Sequence, residues 1–263
     1  MKVLVLGGTG FLGTKVSEKF VKKGCEVIAC GKKQFIENDF PQTVDILVNC
    51  NGNSKKHKSL KFPDLDFSAN VKTVFKSLTK IKCKRYIYIS SSEVYGQMAS
   101  NGFCPNEINT IANNSYSIYR SVYGANKYAA ENLVASLADD FIILRTCGLI
   151  GKNLKKNIVF DLMNNKPIRE NPHSRFQWIS TDHVSEIILI LSSQLAAPQR
   201  KVLNIGGKGC VSVEEMARVL NKEIIFKKDI DKPKHFEIDT IKAQSLYKIK
   251  TSKEYLSEFL HTK

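Results

Sequence analysis

The chain has 263 residues, a length that suits one large α/β unit or a main domain with a small lobe. Apolar residues make up 43% of the sequence, but no apolar run approaches the ~20 residues that span a bilayer, so we expect no membrane-spanning helix. The net charge of +15 comes from scattered lysines without interleaved aromatic residues. This pattern favours a solvated surface and an anionic small molecule over nucleic acid as the partner.

The cysteines indicate the redox environment of the protein. There are seven, none in a C-x-x-C pair, and several lie in apolar, strand-like runs. An odd number without a pairing pattern is typical of buried free thiols in a reducing environment. Because residues 3–6 form a predicted strand, we expect no signal peptide and a cytoplasmic protein. No metal site is expected.

The first predicted element is a strand over residues 3–6, which runs into a glycine-rich turn of spacing G-x-x-G-x-x-G and then a helix from Phe11 to about Lys23. Glycine permits φ > 0 and lets a diphosphate approach bare backbone, and the N–H groups and positive dipole end of a helix attract the anion. The pattern predicts a dinucleotide phosphate site, with a tight turn that binds no ligand as the alternative. The residues predicted to surround the phosphates are Gly7, Gly10, Phe11, Leu12 and Gly13.

Strand and helix signals then alternate along the chain. Repeated βα units predict a parallel sheet with helices on both faces, so we expect a Rossmann-like, doubly wound α/β fold with a small C-terminal lobe. Residues 31–43 are too few for a full helix–strand–helix crossover. The predicted strands cover residues 26–30, 45–50, 85–90, 141–145, 175–180 and 202–205. The predicted helices cover 67–81, 116–137, 153–165, 183–193, 211–220 and a last segment opened by Thr251, with capping boxes at Ser212/Glu215 and Thr251/Glu254.

A second pattern lies inside the long predicted helix, as Tyr123-Gly-Ala-Asn-Lys127. Residues at i and i+4 share a helix face, with Cβ atoms about 5–6 Å apart. An ammonium at that distance favours the phenolate and lowers the pKa of a tyrosine from about 10. Tyr123 is therefore a candidate general acid or base near neutral pH. A chance pair on a solvated face is the alternative.

A third pattern, Ile89-Ser-Ser-Ser-Glu-Val-Tyr-Gly96, follows a predicted parallel strand. Ligands bind at the carboxyl ends of strands in open α/β sheets, so these hydroxyls are candidates to orient a substrate hydroxyl or carbonyl. Serines that satisfy backbone groups in a turn are the alternative.

In this order and spacing, the three patterns resemble the extended short-chain dehydrogenase/reductase superfamily, in its group of NAD(P)-dependent nucleotide-sugar epimerases and dehydratases. The resemblance covers residues 1 to about 220 and implies that the glycine turn lines the cofactor diphosphate. It implies that Tyr123 transfers a proton, that Lys127 lowers its pKa and binds the nicotinamide ribose, and that Ser91 polarises the reacting substrate oxygen. Residues 1–150, completed by 176–206, would form the dinucleotide-binding core, and residues 151–263 mainly the substrate lobe.

The resemblance also implies substrate contacts. Arg175, seven residues before Asp182, matches an arginine that binds the substrate diphosphate in nucleotide-sugar enzymes, and a guanidinium fork suits phosphate oxygens. A surface ion pair is the alternative for this arginine. Ser92 and Glu93 adjoin the catalytic serine as further substrate contacts, and Asn70 matches a structural asparagine. Members of the group often pair through the Tyr–Lys helix, so a homodimer is an open expectation.

The end of the second strand departs from the family pattern. NAD-preferring members place an acidic residue there for the ribose 2′-hydroxyl, whereas this chain has Gly31 followed by Lys32 and Lys33. Two cations without a carboxylate suit a 2′-phosphate, so we expect NADP as the cofactor, with NAD as the alternative. The short stretch 31–43 also truncates the usual third-strand region and leaves the adenine pocket undefined.

The residues after Ser91 reduce the number of candidate reactions. Family dehydratases carry Asp-Glu there, whereas this chain has Ser92 and Glu93, so the acid expected for water elimination is missing. Keto-reduction and epimerisation need only Ser91 and the Tyr–Lys pair, and we therefore expect an NAD(P)-dependent reductase or epimerase of a nucleotide-activated sugar. The alternatives are a decarboxylase that uses Ser92, Glu93 and Arg175 with retained NAD, and a non-catalytic dinucleotide-binding sensor.

Overall fold

A computed structural model of the protein describes residues 1–53, 56–96, 103–108, 121–193, 195 and 197–261. In chain order the strands are β1 (Lys2–Leu6), β2 (Glu26–Cys30), β3 (Thr43–Asn49), β4 (Lys82–Ser91), β5 (Phe141–Thr146), β6 (Gly148–Ile150), β7 (Arg175–Phe176), β8 (Trp178–Ser180), β9 (Arg200–Ile205), β10 (Val211–Ser212) and β11 (His235–Phe236). The α-helices are α1 (Phe11–Lys22), α2 (Lys32–Glu37), α3 (Pro63–Phe67), α4 (Thr73–Lys80), α5 (Val122–Leu137), α6 (Ile158–Met163), α7 (Thr181–Ser193), α8 (Val213–Val219), α9 (Ile241–Leu246) and α10 (Ser252–His261).

A parallel six-stranded sheet lies at the centre, in the order β2-β1-β3-β4-β5-β9, and the predicted fold class is confirmed. Successive side chains point to opposite faces, so Val3 and Val5 of β1 pack on one side while Leu4 and Leu6 pack on the other. Helices α1 and α7 cover the first face, and α4 and α5 cover the second. Because both faces are buried, the central strands are almost uniformly apolar.

The crossover from β2 to β3 is short, as the sequence predicts. The six-residue helix α2 occupies half of it and is capped by Asn38, which adopts the left-handed conformation with φ 58°. Strand β3 then pairs directly with β1. Within the described segment 1–53 no further strand intervenes, so β2 forms the edge of the sheet.

The strand predicted over 175–180 is divided in the structure. Its first part, β7, lies in a three-stranded sheet of order β10-β7-β11, and its second part, β8, pairs with β6. Gln177 lies buried between the two parts, where its amide donates to the carbonyls of Gly207 and Ile238. Its side-chain oxygen accepts the N–H of Ile238. One side chain thus satisfies backbone groups at the point where the chain leaves one sheet for the next, as buried polar groups require.

The helix predicted over 67–81 begins earlier, at Pro63, where proline suits a helix start because its nitrogen has no hydrogen to donate. Between α3 and α4 the helix widens into a π-helical segment, Ser68–Lys72. Such segments occur frequently at functional sites. This one contains Asn70, which is fully buried.

Two other predicted helices are shorter in the structure. Helix α6 begins after Asn157, because the side-chain oxygen of Asn157 accepts the N–H of Phe160 and caps the helix there. Helix α5 begins after Ser121, whose hydroxyl accepts the N–H of Gly124. Residues 116–120 of the predicted long helix lie outside the described residues.

The two predicted capping boxes are confirmed. Helix α8 begins after β10 rather than at the start of the predicted helix, because Val211 and Ser212 pair with β7. The Ser212 hydroxyl accepts the N–H of Glu215, and the Glu215 carboxylate accepts the N–H of Ser212. Thr251 and Glu254 make the same reciprocal bonds at the start of α10.

The expected cysteine state holds only in part. All seven cysteines are free, but Cys30 is the one that is buried, Cys104 is exposed, and the others are half-buried. Among the described residues, no helix combines the length and hydropathy that crossing a membrane requires. The division into a core of residues 1–150 and a lobe of residues 151–263 stays a prediction, since one hydrophobic cluster runs from Val3 to Phe259.

A buried ion pair joins helix α5 to strand β5. The guanidinium of Arg145 lies 2.7 Å from the carboxylate of Glu131, and the two side chains are 2% and 4% exposed. The Ser90 hydroxyl donates to the same carboxylate, and Arg145 donates to the hydroxyl of Tyr95. Tyr95 in turn donates to Asn204 on β9. These bonds connect α5, β5, β4, β9 and the short segment Ser92–Tyr95 through buried charged and polar groups.

We predict that Glu131→Ala lowers the free energy of unfolding by about 3–5 kcal/mol, because it leaves the Arg145 charge buried and unpaired. Urea denaturation measures the change. The control is Lys84→Ala, which removes an ion pair to Asp45 at a site where the lysine is 70% exposed, and which should cost less than about 1 kcal/mol. Equal effects of the two substitutions would contradict the importance of the buried pair.

Candidate active site

The glycine turn after β1 has the geometry of a phosphate cradle. Gly7 adopts φ +72°, which side chains rarely permit, and a Cβ on Gly13 would lie 2.1 Å from the carbonyl oxygen of Gly7. In this described segment, α1 begins at Phe11 after the N-cap residue Gly10, with no side-chain cap and no acidic residue in its first turn. The N–H groups of the first turn are therefore available to an anion. Leu12 is buried in the core, so only its backbone can contact a cofactor.

The end of β2 lies beside this turn. Gly31 caps the start of α2, and its N–H donates to the side-chain oxygen of Gln34. A Cβ on Gly31 would lie 3.3 Å from the hydroxyl of Thr9, which belongs to the glycine turn. Lys32 and Lys33 are both exposed. The two lysines are thus next to the turn, as the sequence suggests, while Thr9 and Gln34 were not identified from the sequence.

Tyr123 and Ser91 meet at the carboxyl end of β4. Tyr123 lies in the first turn of α5, and its phenol shares a hydrogen bond with the Ser91 hydroxyl. Burial raises the pKa of the Tyr123 phenol, and the negative charge of Glu93 raises it further. The expectation that a neighbouring ammonium lowers this pKa is therefore wrong for the protein without a bound ligand.

The position of Lys127 explains that difference. Its side chain is buried, and Nζ donates to the carbonyl oxygen of Ile89 at 2.8 Å and to the hydroxyl of Tyr88 at 3.2 Å. The ammonium is thus held against strand β4 rather than against Tyr123. Burial lowers the pKa of Lys127 to about 8. Gly52 leaves room beside it, since a Cβ there would lie 3.1 Å from Nζ.

An amide and carboxylate network supports this part of the site. Asp66 is fully buried, and its two carboxylate oxygens accept from Asn53 at 2.7 Å and from Asn126 at 2.8 Å. Asn70 donates to the carbonyl of Asp66 and accepts the N–H of Asn53. Asn126 belongs to the helix turn between Tyr123 and Lys127, so the network ties that turn to the loop after β3. Asn126 could have been identified from the sequence, because it lies inside the Tyr-x-x-x-Lys pattern. No local pattern indicates Asp66.

Ser92 and Glu93 continue the site from Ser91. The Ser91 hydroxyl accepts the N–H of Glu93 and so caps a short 3₁₀ helix over Ser92–Tyr95. The Glu93 carboxylate forms an ion pair with Lys56, whose ammonium also lies 6.0 Å from the centre of the Phe236 ring. Lys56 was not identified from the sequence, yet it links the segment after β4 to the C-terminal part of the chain.

Arg175 lies in another sheet, at the start of β7. One guanidinium nitrogen donates to the carbonyl of Cys210 at 2.9 Å, and another lies 3.5 Å from the Glu215 carboxylate. The side chain remains 42% exposed. In the part of the chain that it describes, the structure therefore does not bring Arg175 into contact with the Ser91–Tyr123 pair. The alternative considered from the sequence, an ion pair of Arg175, does form, with Glu215.

The parallel sheet and the glycine turn agree with the comparison with known families. Residues 3–206 match the NAD dependent epimerase/dehydratase family. The chain therefore belongs to this family. A search of curated protein sequences gave no significant match.

Solved structures with the same fold include three enzymes that differ in reaction. The UDP-glucuronic acid 4-epimerase from Bacillus cereus, in complex with UDP-glucuronic acid and NAD, is 18% identical with a TM-score of 0.78, covering 99% of each chain. The dTDP-4-dehydrorhamnose reductase from Bacillus anthracis, in complex with NADP, is 18% identical with a TM-score of 0.76, covering 100% of this chain and 98% of its own. An NAD-dependent NDP-hexosamine 5,6-dehydratase of tunicamycin biosynthesis is 19% identical with a TM-score of 0.79, over 100% and 98%.

We predict a pH dependence of stability that originates in Lys127. Its pKa is about 8 in the folded protein, against 10.5 for a fully solvated lysine side chain such as the unfolded chain presents. Between these values the unfolded chain binds more protons, so the free energy of unfolding rises with pH over this interval. Relative to Lys127→Met, the native protein should gain about 3 kcal/mol from pH 8 to 10.5 in urea denaturation.

The control for this prediction is Lys84→Met, because Lys84 is 70% exposed. The difference between the native protein and Lys84→Met should stay constant over the same pH interval. A difference between the native protein and Lys127→Met that also stays constant would contradict the low pKa of Lys127.

Proposed function

We propose that the protein is an NAD(P)-dependent enzyme that reduces or epimerises a nucleotide-activated sugar. The observation that carries this proposal is the hydrogen-bonded pair of Tyr123 and Ser91 at the carboxyl end of β4, with Lys127 one helical turn away. A sensor needs no proton-transfer group, so this pair argues against the non-catalytic alternative. Family membership and the nucleotide-sugar enzymes among the solved structures support the same assignment.

The residues around the glycine turn fit a dinucleotide. We propose that the backbone of Gly7, Gly10, Phe11, Leu12 and Gly13 holds its diphosphate, since a helix N-terminus without a side-chain cap favours an anion. Lys127 would contact the nicotinamide ribose from the space beside Gly52. A bound nicotinamide dinucleotide supplies the two-electron redox chemistry.

The protein groups move and hold the proton. In keto-reduction, Tyr123 donates its phenolic proton to the oxygen of the substrate carbonyl, which becomes a hydroxyl. Ser91 donates a hydrogen bond to the same oxygen and so orients it. Because burial raises the pKa of Tyr123, the phenol carries its proton at neutral pH, which is the form that a general acid requires.

The decarboxylase remains the second candidate. It would use Ser92 and Glu93 near the Tyr123 hydroxyl, with Arg175 on the substrate diphosphate and with retained NAD. The position of Glu93, close enough to raise the pKa of Tyr123, supports a role for its carboxylate. Its ion pair with Lys56 argues against such a role, because the ammonium of Lys56 already balances the charge of the carboxylate.

We propose that the protein forms a homodimer through α4 and α5, where Phe75 and Leu137 are each 50% exposed. We further propose that residues 1–150 with 176–206 bind the dinucleotide, while residues 151–263 mainly bind the sugar nucleotide. Nucleic acid remains disfavoured as a partner, since the support for it is net charge alone.

We predict that Tyr123→Phe retains cofactor affinity and loses turnover by about 10²–10⁴-fold, because only the proton-donating hydroxyl is removed. Cofactor titration and steady-state kinetics with keto and hydroxy forms of UDP- and dTDP-sugars measure the two effects. Tyr247→Phe, which removes a hydroxyl from a half-buried tyrosine at the end of α9, is the control and should keep native turnover. Native turnover by Tyr123→Phe would show that the role is misassigned.

We predict that the protein binds NADP more tightly than NAD, because Gly31 stands where a carboxylate would bind the ribose hydroxyl, and the positive charges of the exposed Lys32 and Lys33 would attract a 2′-phosphate. Fluorescence titration of the native protein with both cofactors tests the preference. The triple variant Gly31→Asp/Lys32→Ala/Lys33→Ala should reverse it, whereas Lys22→Ala/Lys23→Ala at the far end of α1 should not. Tighter binding of NAD by the native protein would reject the NADP assignment and favour the decarboxylase.

We predict that Arg175→Ala raises the KM for a nucleotide sugar about 10- to 150-fold, which corresponds to a charge-assisted hydrogen bond of roughly 1.5–3 kcal/mol. Dinucleotide affinity should not change. Arg175→Lys should recover only part of the affinity because it lacks the guanidinium fork. The control is Arg169→Ala, at an exposed arginine near the same sheet. If the KM barely changes and unphosphorylated sugars react equally well, the nucleotide-sugar assignment fails.

A further inference from the structure

A cluster of three different ligand types lies in the small sheet that contains Arg175. Cys210 directly precedes β10, His235 begins β11, and Glu237 follows β11. Residues 235 and 237 are two apart along an extended chain, so their side chains project on the same face. The thiol sulfur, an imidazole nitrogen and a carboxylate oxygen all lie within 4.8 Å of one another. All three residues are half-buried.

These are the three side-chain types that bind zinc. Thiolate, imidazole and carboxylate ligands coordinate Zn²⁺ tetrahedrally at about 2.0–2.3 Å, and three protein ligands leave one position open. The ring nitrogen of His235 already lies 2.8 Å from a carboxylate oxygen of Glu237. Small side-chain rotations are enough to bring the sulfur to a common centre, because none of the donor atoms is farther than 4.8 Å from another.

Hydrogen bonds within the cluster hold the donor atoms together when no cation is bound. The Cys210 thiol donates to the carbonyl of Phe236 at 3.3 Å, and His235 bonds to Glu237. Burial raises the pKa of the Cys210 thiol, and the charge of Glu237 raises it further, so the thiol is protonated in the absence of metal. A cation must therefore displace one proton from Cys210 to gain the sulfur ligand.

The local charge balance also permits a divalent cation. Arg175 lies beside the cluster, because its guanidinium donates to the backbone carbonyl of Cys210 and pairs with Glu215. Its positive charge would oppose a cation bound by neutral ligands. A thiolate and a carboxylate together carry two negative charges, however, so the site occupied by a divalent ion has no net charge next to Arg175.

We propose that Cys210, His235 and Glu237 form a binding site for Zn²⁺ that leaves a fourth coordination position open. The sequence did not predict this site, because Cys210 is remote along the chain from His235 and Glu237 and the pairing of β10 and β11 with β7 brings them together. The site is independent of the proposed reaction, and either one can be correct without the other.

The test uses the full chain after dialysis against a chelator. Titration with Co²⁺ should give one ion per chain, with a thiolate-to-cobalt charge-transfer band and the visible absorption of tetrahedral cobalt. Calorimetry with Zn²⁺ should give the same stoichiometry. The charge-transfer band should disappear in Cys210→Ser. Since loss of a ligand's hydrogen-bond partner alone costs about 10–100-fold in metal affinity, His235→Ala and Glu237→Gln should each weaken Zn²⁺ binding at least tenfold.

Two matched variants serve as controls. Cys83→Ser changes a half-buried cysteine on β4, and His173→Ala changes a histidine whose side chain is 71% exposed. Both should bind Zn²⁺ as the native protein does. Binding with native affinity by Cys210→Ser, a cobalt spectrum without a thiolate band, or the absence of stoichiometric binding would each overturn the proposal.

A measurement on the native chain covers the case in which Cys210→Ser does not fold. The cysteines are alkylated with and without Zn²⁺, and mass spectrometry of peptides identifies the modified residues. Zn²⁺ should slow the alkylation of Cys210 selectively, while the rate at the half-buried Cys83 on β4 stays unchanged. Equal alkylation of Cys210 in the two samples would reject the site.

Discussion

The ion pair between Glu131 and Arg145 connects helix α5 to strand β5 at a place where neither charge reaches water. A buried pair of this kind is stable only when the remaining hydrogen-bonding capacity of both groups is satisfied, and Ser90 supplies one of the required bonds. Ser90 directly precedes Ser91, and Glu131 lies one helical turn after Lys127. The bonds that satisfy the charges therefore also set the distance between the strand and the helix that carry the candidate catalytic groups.

Much of the fold could be predicted from the sequence, because the relevant signals are local. The strand, glycine turn and helix at the N-terminus follow from steric rules that act within a few residues. Gly7 is required for its positive φ, and Gly13 is required because a Cβ there would collide with the backbone of Gly7. The capping box at Ser212 is equally local, since both of its bonds join residues three apart. The short crossover after β2 could be read from segment length alone, and its single helix α2 is what that length permits.

The parts that could not be predicted depend on contacts between distant segments. The direction of the Lys127 ammonium is set by the carbonyl of Ile89 and the hydroxyl of Tyr88, which spacing along one helix cannot reveal. Asp66 has no local pattern, because its partners lie in a loop and in another helix. The division of the 175–180 strand depends on Gln177, which bonds to backbone far along the chain. Periodicity describes which face a residue occupies, but not which neighbour it meets there.

The π-helical segment over Ser68–Lys72 makes the winding of this helix part of the site. In a regular α-helix each residue turns the chain by about 100°. The wider segment allows Asp66 before it to face Asn126 while Val74 after it still packs against the sheet. If the same residues formed regular α-helix instead, the helix after Lys72 would be rotated by about one residue, roughly 100°, relative to the helix before Ser68, which would withdraw either the carboxylate or the apolar side chain. The alignment of the carboxylate with the apolar side chain therefore depends on how this helix is wound as well as on which residues it contains.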